Sequence, residues 1–355
     1  MKNGLKTALC LIGILAAPAA WAQVTAQFEP LGLETRFDDN VFRLVSEQGR
    51  QSDEVDAVSA GVQAQALFDG FEAQANYSLK ADTYQFYSLL NNFTHDFNFD
   101  FSRLSGPFVL RYTNDSFFRA SNYYEFDYFD EASLLGLEYD LDPHWSFGLN
   151  GEILSREYYA DADYVASRNF TDDGVAISAQ RVWSESFSAK LEIKYDSRQF
   201  NRFAVISGPV SFSAASFLQD DATWSADLGF HAYFLKVLQD IHVTASRTDS
   251  NSYGFSNSVG SFSWAGVLSP AKDFYLELFF RFYEKNYDVQ PIQNQDLLLG
   301  FTNDDGQDLL AVKGTLEWAP GWTGSLSVSR FKNESTQPGE YYIKDVISAQ
   351  ILKQF

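Results

Sequence analysis

Phe187-Ser188-Ala189-Lys190-Leu191-Glu192-Ile193-Lys194-Tyr195-Asp196 sets an apolar side chain at every odd position and a small polar or charged one at every even position. A period of two sustained over ten residues is the pattern of a β-strand with one oily and one wet face. The alternation recurs from Phe71 and Glu72 to Ala81 and Asp82. It recurs again where Phe93, Phe97, Phe99 and Phe101 oppose Thr94, Asp96, Asn98, Asp100 and Ser102. Residues 274–282 put Phe274, Leu276, Leu278, Phe280 and Phe282 on one face. Soluble strands mostly run five or six residues, whereas about ten residues of tilted strand cross a bilayer.

The connections alternate in length. Short turns fall at Asp69-Gly70, Ser105-Gly106-Pro107, Asp142-Pro143-His144, Trp183 to Ser186, Leu235 to Asp240, Ser269 to Asp273 and Ala319-Pro320-Gly321. Longer polar and aromatic segments lie between them, at 46–54, 83–92, 114–130, 156–172, 197–219, 284–307 and 332–339. Short turns on one side and long loops on the other describe an outer-membrane barrel, with turns periplasmic and loops extracellular. The expected fold is therefore all-β: a transmembrane antiparallel up-and-down β-barrel of about sixteen strands. One misread hairpin would make the count fourteen or eighteen. Trp145, Trp183, Trp264, Trp318 and Trp322 gather near the short turns, where a periplasmic aromatic girdle belongs. The last strand alternates through Ile347, Ala349 and Ile351 and ends on Phe355, which is expected to engage the barrel-assembly machinery. Lys353 stands where an apolar residue is more usual, so its stem must snorkel at the interface.

The N-terminus carries Lys2 and Lys6, an apolar run from Ala8 to Ala17 and the small-x-small site Ala20-Trp21-Ala22. This is a secretory signal peptide over residues 1–22, with the barrel domain over 23–355. Cys10 lies inside the leader and is the single cysteine, so no disulfide framework supports the exported chain. The net charge of −21 argues against nucleic acid or polyanionic partners, which need clustered Lys and Arg. Aromatics make up 17% of the chain, high for a soluble protein. Beyond the leader no apolar stretch approaches the ~18 residues of a membrane helix. The expected location is the outer membrane, in contact with its lipid and lipopolysaccharide; a soluble secreted β-protein is the fallback.

On this reading Glu72, Lys80, Asp96, Asp100, Arg111, Glu138, Glu152, Lys190, Glu192, Lys194, Asp227, Glu277, Arg281, Lys313 and Glu317 all point into the lumen. They either filter solutes in an open channel or brace a closed one. Enzymatic signals are weak. A barrel hydrolase needs a His beside a serine or carboxylate, and only His231 and His242 face inward, since His95 falls on the apolar face and His144 in a turn. No catalytic or cofactor residue is assigned. Carboxylates at Asp161, Asp163, Asp172, Asp173, Asp304, Asp305 and Asp308, beside Asn303 and Gly306, suit Ca²⁺ or Mg²⁺, or are ordinary acidic loops without full calcium-loop spacing. Walker, dinucleotide and zinc spacings are absent. Tyr84, Phe86, Tyr87, Phe117, Phe118, Tyr123, Tyr124, Phe126, Tyr128, Phe129, Tyr158 and Tyr159 crowd the loops. Beside carboxylates they could grip sugar rings, or they form an outer girdle.

The stretch Phe37-Asp38-Asp39-Asn40-Val41-Phe42-Arg43 resembles the end of the first strand in the β-barrel porin 2 family of outer-membrane proteins. Tyr84 to Phe101 and the Tyr139 to Trp145 hairpin are also similar to that group, so the resemblance spans about the first 160 residues. It implies an outer-membrane barrel of the kind associated with exopolysaccharide operons, and it brings no catalytic residues. Three functions remain: a channel for carbohydrate or exopolysaccharide, a closed surface-binding or structural barrel, and a barrel hydrolase.

Overall fold

The alternating segments become strands because each can bury neither face alone, and in lipid every backbone N–H and C=O must bond within the protein. The computed structural model describes residues 23–28, 31–39, 51–68, 70–122, 127–159, 167, 169–207, 212–289, 308–333 and 342–354. The expected leader, Asn40 to Arg43, Tyr123, Tyr124, Phe126, Asp161, Asp163, Asn303 to Gly306 and Phe355 lie outside those residues.

Among the described residues seventeen strand segments form one antiparallel sheet. They are β1 (Gln23–Phe28), β2 (Leu31–Asp38), β3 (Asp53–Phe68), β4 (Phe71–Tyr84), β5 (Asn92–Ser105), β6 (Phe108–Ser121), β7 (Tyr128–Asp142), β8 (Trp145–Tyr158) and β9 (Phe170–Ser184). The second half holds β10 (Phe187–Ser207), β11 (Phe212–Phe234), β12 (Val237–Ser250), β13 (Asn257–Ala271), β14 (Phe274–Tyr287), β15 (Asp308–Ala319), β16 (Trp322–Asn333) and β17 (Tyr342–Lys353). β1 and β2 lie end to end along β3, from Gln23 opposite Leu67 to Asp38 opposite Asp53, so together they make one stave. β17 pairs with β2 from Lys353 opposite Leu31 to Val346 opposite Asp38. That pairing closes a sixteen-stave barrel and removes the sheet edges.

Among the described residues two-residue turns join the staves at one end at 106–107, 143–144, 185–186, 235–236, 272–273 and 320–321, and Gly70 lies in the connection from β3 to β4. Gly70 and Gly321 take the left-handed φ (71° and 72°) that tight hairpins demand. Leu235 and Lys236 adopt it without glycine (53° and 65°), which tightens the expected turn from Leu235 to Asp240 down to two residues.

The loop end departs further from expectation. The segment 197–219 is mostly paired strand: β10 runs on to Ser207 and β11 begins at Phe212, with register shifts between Gln199 and Val205. Likewise 114–121, 128–130, 156–158 and 170–172 are strand, and Asp172 and Asp173 belong to β9. Above the bilayer no lipid demands an apolar outer face, so alternation fades while backbone pairing continues. A connection over Asn251–Ser256 stood outside the expected loops. It clasps the hairpin: the Val205 N–H donates to Ser252 Oγ at 2.9 Å, and the Tyr253 N–H to the Val205 carbonyl at 2.8 Å.

Strand ends on this side are finished by side chains. The backbone N–H of Tyr84 donates to Asn91 Oδ1 at 2.7 Å, that of Tyr158 to Asn169 Oδ1 at 2.6 Å and that of Tyr283 to Asp308 Oδ1 at 2.9 Å. The fully buried carboxylate of Asp53 accepts from the N–H groups of Gln85, Phe86 and Tyr87, at 3.1, 3.0 and 3.0 Å. Each such bond satisfies a backbone group that the ladder no longer reaches.

The outer face carries Leu33, Val58, Leu79, Leu135, Leu149, Ile177, Leu191, Leu228, Val243, Phe280, Val312, Val328 and Ile351, all exposed. Exposed apolar side chains on nearly every stave form a lipid-facing band. Trp145, Trp183, Trp318 and Trp322 stand at its turn-side edge; Trp264, opposite Ile241, sits further into the band. Trp224 stacks on Tyr195 (4.8 Å) near the other edge.

Candidate functional site: the lumen

Strand registers carry one face continuously around the barrel. Paired residues share a face, so Lys80 opposite Thr94, Thr94 opposite Arg119, Asp130 opposite Arg156, and Glu277 opposite Lys313 all face inward. The same parity puts Glu72, Asp96, Asp100, Arg111, Glu138, Glu152, Lys190, Glu192, Lys194, Asp227, Arg281 and Glu317 on this face.

Its chemistry changes along the barrel axis. Near the turns the ion pairs are open to water: Arg111 with Glu138 (3.6 Å), Lys190 with Glu192 (2.8 Å) and Lys313 with Glu277 (3.5 Å). The Arg111 side chain keeps 61% of its exposure. Half-way up, Lys194 bridges Glu152 (2.6 Å) and Asp196 (3.0 Å). Near the loops the pairs close in. Lys344 meets Asp38 at 2.6 Å with only 18% and 9% of the side chains exposed. Arg36 meets Asp82 (3.0 Å), Lys80 reaches Glu34 (3.3 Å), and Arg198 reaches Asp172 (2.7 Å). Arg156 grips Asp130 with two bonds of 2.7 Å, a bidentate fork.

Aromatic rings interleave these pairs on β6–β10. Phe117, Tyr128 and Tyr158 pack on one another with tilted rings at 5.6 and 5.5 Å, and Phe170 meets Phe200 at 5.7 Å. Guanidinium groups cover the rings: Arg156 over Tyr128 (4.9 Å), Arg198 over Phe170 (4.5 Å) and Arg202 over Phe200 (4.4 Å). Arg202, 6% exposed, also donates to Gln219 Oε1 at 2.8 Å and lies 5.2 Å from Phe255 of the clasping loop. Bulky, well-covered side chains thus gather in the outer half of the lumen, while the ion pairs of the turn-side half stay open to water. Arg119 Nε, Asp172 Oδ1 and Arg202 Nη2 are buried there without a hydrogen-bond partner.

The opposite wall is lined differently. β13, β16 and β17 present Ser261, Ser263, Ser325, Ser327, Ser329 and Ser348 inward, with Ser327 and Ser348 bonded at 2.7 Å. On β4–β6 a third chemistry appears. Asn76 bonds Asn98 (3.2 Å) and Asn98 bonds Asp115, beside Asp96 and Asp100. Among the described residues no Lys or Arg pairs with Asp96, Asp100 or Asp115.

Other expected residues divide. Phe37 faces lipid, Asp38 holds Lys344, and Asp39 Oδ1 accepts the Asp345 N–H at 2.7 Å, all at the loop-side end of the first stave. Tyr84 faces inward on β4, whereas Phe118 and Tyr159 pack together at 5.7 Å on the lipid side. His95 also faces lipid, within 2.7 Å of the Tyr77 hydroxyl. His231 pairs with Asp240 (2.7 Å) and His242 with Asp227 (2.9 Å), each histidine with its own carboxylate rather than with the other. Gly229 makes room for His242, since a Cβ there would come within 2.9 Å of the ring. No serine hydroxyl joins either pair among the described hydrogen bonds. Among the described residues no three His, Cys, Asp or Glu side chains come together as a metal site. Sequence reasoning missed Arg36, Asp82, Asp130, Arg156, Phe170, Arg198, Phe200 and Arg202. The alternation Arg198, Phe200, Arg202 on one face was the available signal.

A closed sixteen-stave barrel with an apolar outer band and a polar interior is a porin-like β-barrel of the outer membrane. No family model and no curated protein sequence matches the chain. Its fold is similar to that of OmpTΔL8, a loop-deletion form of an outer membrane protein of Vibrio cholerae. Identity is 9% and the TM-score 0.53, over 94% of this chain and 99% of that one. It is also similar to an anion-selective porin from Comamonas acidovorans, at 10% identity and a TM-score of 0.51, over 94% and 100% of the two chains.

Proposed function

We propose that this protein is a non-enzymatic channel for hydrophilic solutes, with carbohydrate or exopolysaccharide as the passenger. The observation that carries the reading is the largely polar inner face of a closed barrel of sixteen staves, a size that encloses an aqueous channel. The outer half adds aromatic rings and Arg–carboxylate pairs such as Arg156 with Asp130. Sugar hydroxyls both donate and accept, and can bond the exposed parts of such groups. The resemblance of Phe37 to Arg43 to the β-barrel porin 2 group, with its link to exopolysaccharide operons, supports the same passenger. The unneutralised Asp96, Asp100 and Asp115 favour neutral or cationic solutes over anions.

Single-channel conductance of the refolded protein, with oligosaccharide on one side, tests this. Stable ohmic steps that sugar blocks are expected. Silence from a folded, heat-modifiable barrel would overturn the channel. It would favour the second reading, a closed surface-binding barrel, for which burial of Arg202, Asp38 and Asp172 speaks. Open steps that no sugar affects would overturn the passenger alone.

A further inference from the structure

We propose that Arg181, held between Trp145 and Trp183 on the lipid-facing side, binds the headgroup phosphate of a glycerophospholipid in the periplasmic leaflet. Arg181 lies on β9 opposite Trp145 of β8 and Ala189 of β10, on the face that carries Val175 and Ile177. Its guanidinium sits 5.1 Å from each indole ring. Four residues further on comes the 185–186 turn, so the site is at the turn-side edge of the apolar band. Up the same face, Asp173 is the next charged residue, eight positions away. At ~3.3 Å per residue and a tilt of ~40°, that separation spans about 20 Å, close to the height of a barrel's apolar band.

A guanidinium at that edge needs an acceptor. Among the described residues, no carboxylate pairs with Arg181 and no side chain accepts from it; Glu185 in the turn below makes no ion pair. Two indole faces restrict its motion and leave the planar fork free on the lipid side, where a phosphate can take two N–H bonds at once. The arrangement recurs on β5, where Arg103 covers Phe71 at 4.6 Å, again without a carboxylate partner, within a cluster of Phe68, Phe71 and Phe101.

Native mass spectrometry of the delipidated full barrel decides the matter, with phosphatidylglycerol and galactosyl diacylglycerol of identical chains as probes. Wild type should retain the phospholipid about tenfold more strongly than the galactolipid, the value of one charge-assisted bond. Arg181→Gln should lose most of that preference and Arg181→Lys keep part of it. Equal retention of both lipids by wild type, a comparison that needs no variant, would overturn the site. So would an undiminished preference in a folded Arg181→Gln barrel. Displacement of the phospholipid by millimolar inorganic phosphate would show a free-anion site and refute the lipid assignment.

Discussion

The two ends of the lumen use the same residue types and differ in what surrounds them. At the turn end, Lys190 and Glu192 form a 2.8 Å pair with the lysine side chain 48% exposed. At the loop end, Arg156 and Asp130 form a 2.7 Å pair, with 25% and 18% exposed, under two aromatic rings. Exposed pairs contribute little, because water and salt screen them and ordering two long side chains costs entropy. A forked pair packed against rings is shielded, and removing one partner strands a charge. The barrel therefore joins a hydrated turn-side layer, tolerant of change, to a packed outer layer that is not.

The largest break in this contrast should come from Arg156→Ala combined with Arg198→Ala. Together they remove two guanidinium groups from the packed outer layer and uncover Tyr128 and Phe170. Unit conductance in a planar bilayer should rise and oligosaccharide block should weaken; an unchanged conductance would place the narrowest point elsewhere. Next come double-mutant cycles by urea unfolding. The Arg156–Asp130 pair should show a coupling of about 2 kcal/mol, and Lys190–Glu192 less than about 0.5 kcal/mol. Equal couplings would erase the distinction.

Where the halves meet, Gly174→Ala would push a Cβ into Asp196 Oδ1 and to 3.2 Å from Lys194 Cε. Because those side-chain ends can shift, a loss of about 1 kcal/mol in the same unfolding assay is expected. The smallest effect belongs to the turn-side layer. Glu277→Gln should shift the reversal potential in 0.1 M salt and leave it unchanged in 1 M, as the screening length falls from about 10 Å to about 3 Å.

The lumen face was legible because strand parity is rigid: once Lys190, Glu192 and Lys194 alternate with Leu191 and Ile193, every second residue must share a side. Parity also carried Glu277, Lys313 and Arg111 across strands whose pairing the sequence does not state. It failed at 197–219, where each face mixes polar and apolar residues (Arg198, Phe200 and Arg202 on one, Gln199, Asn201 and Phe203 on the other) and contrast is lost. It also failed to show that Phe117, Tyr128 and Tyr158, which read as loop aromatics, are strand residues packed on one another, with Tyr128 capped by Arg156 from the neighbouring stave. Those contacts join residues such as Arg156 and Tyr128 across a register, and no local pattern reports a register.

By itself, then, the sequence determined the strand chemistry, the two unlike ends and the polar interior, since these follow from alternation, turn residues and the demands of lipid. Only the tertiary structure decided where packed side chains gather inside the lumen. Closure through β17 and β2, the bent β10–β11 hairpin and the stacking of arginine on ring depend on which staves become neighbours, and that is settled by pairing across the whole barrel.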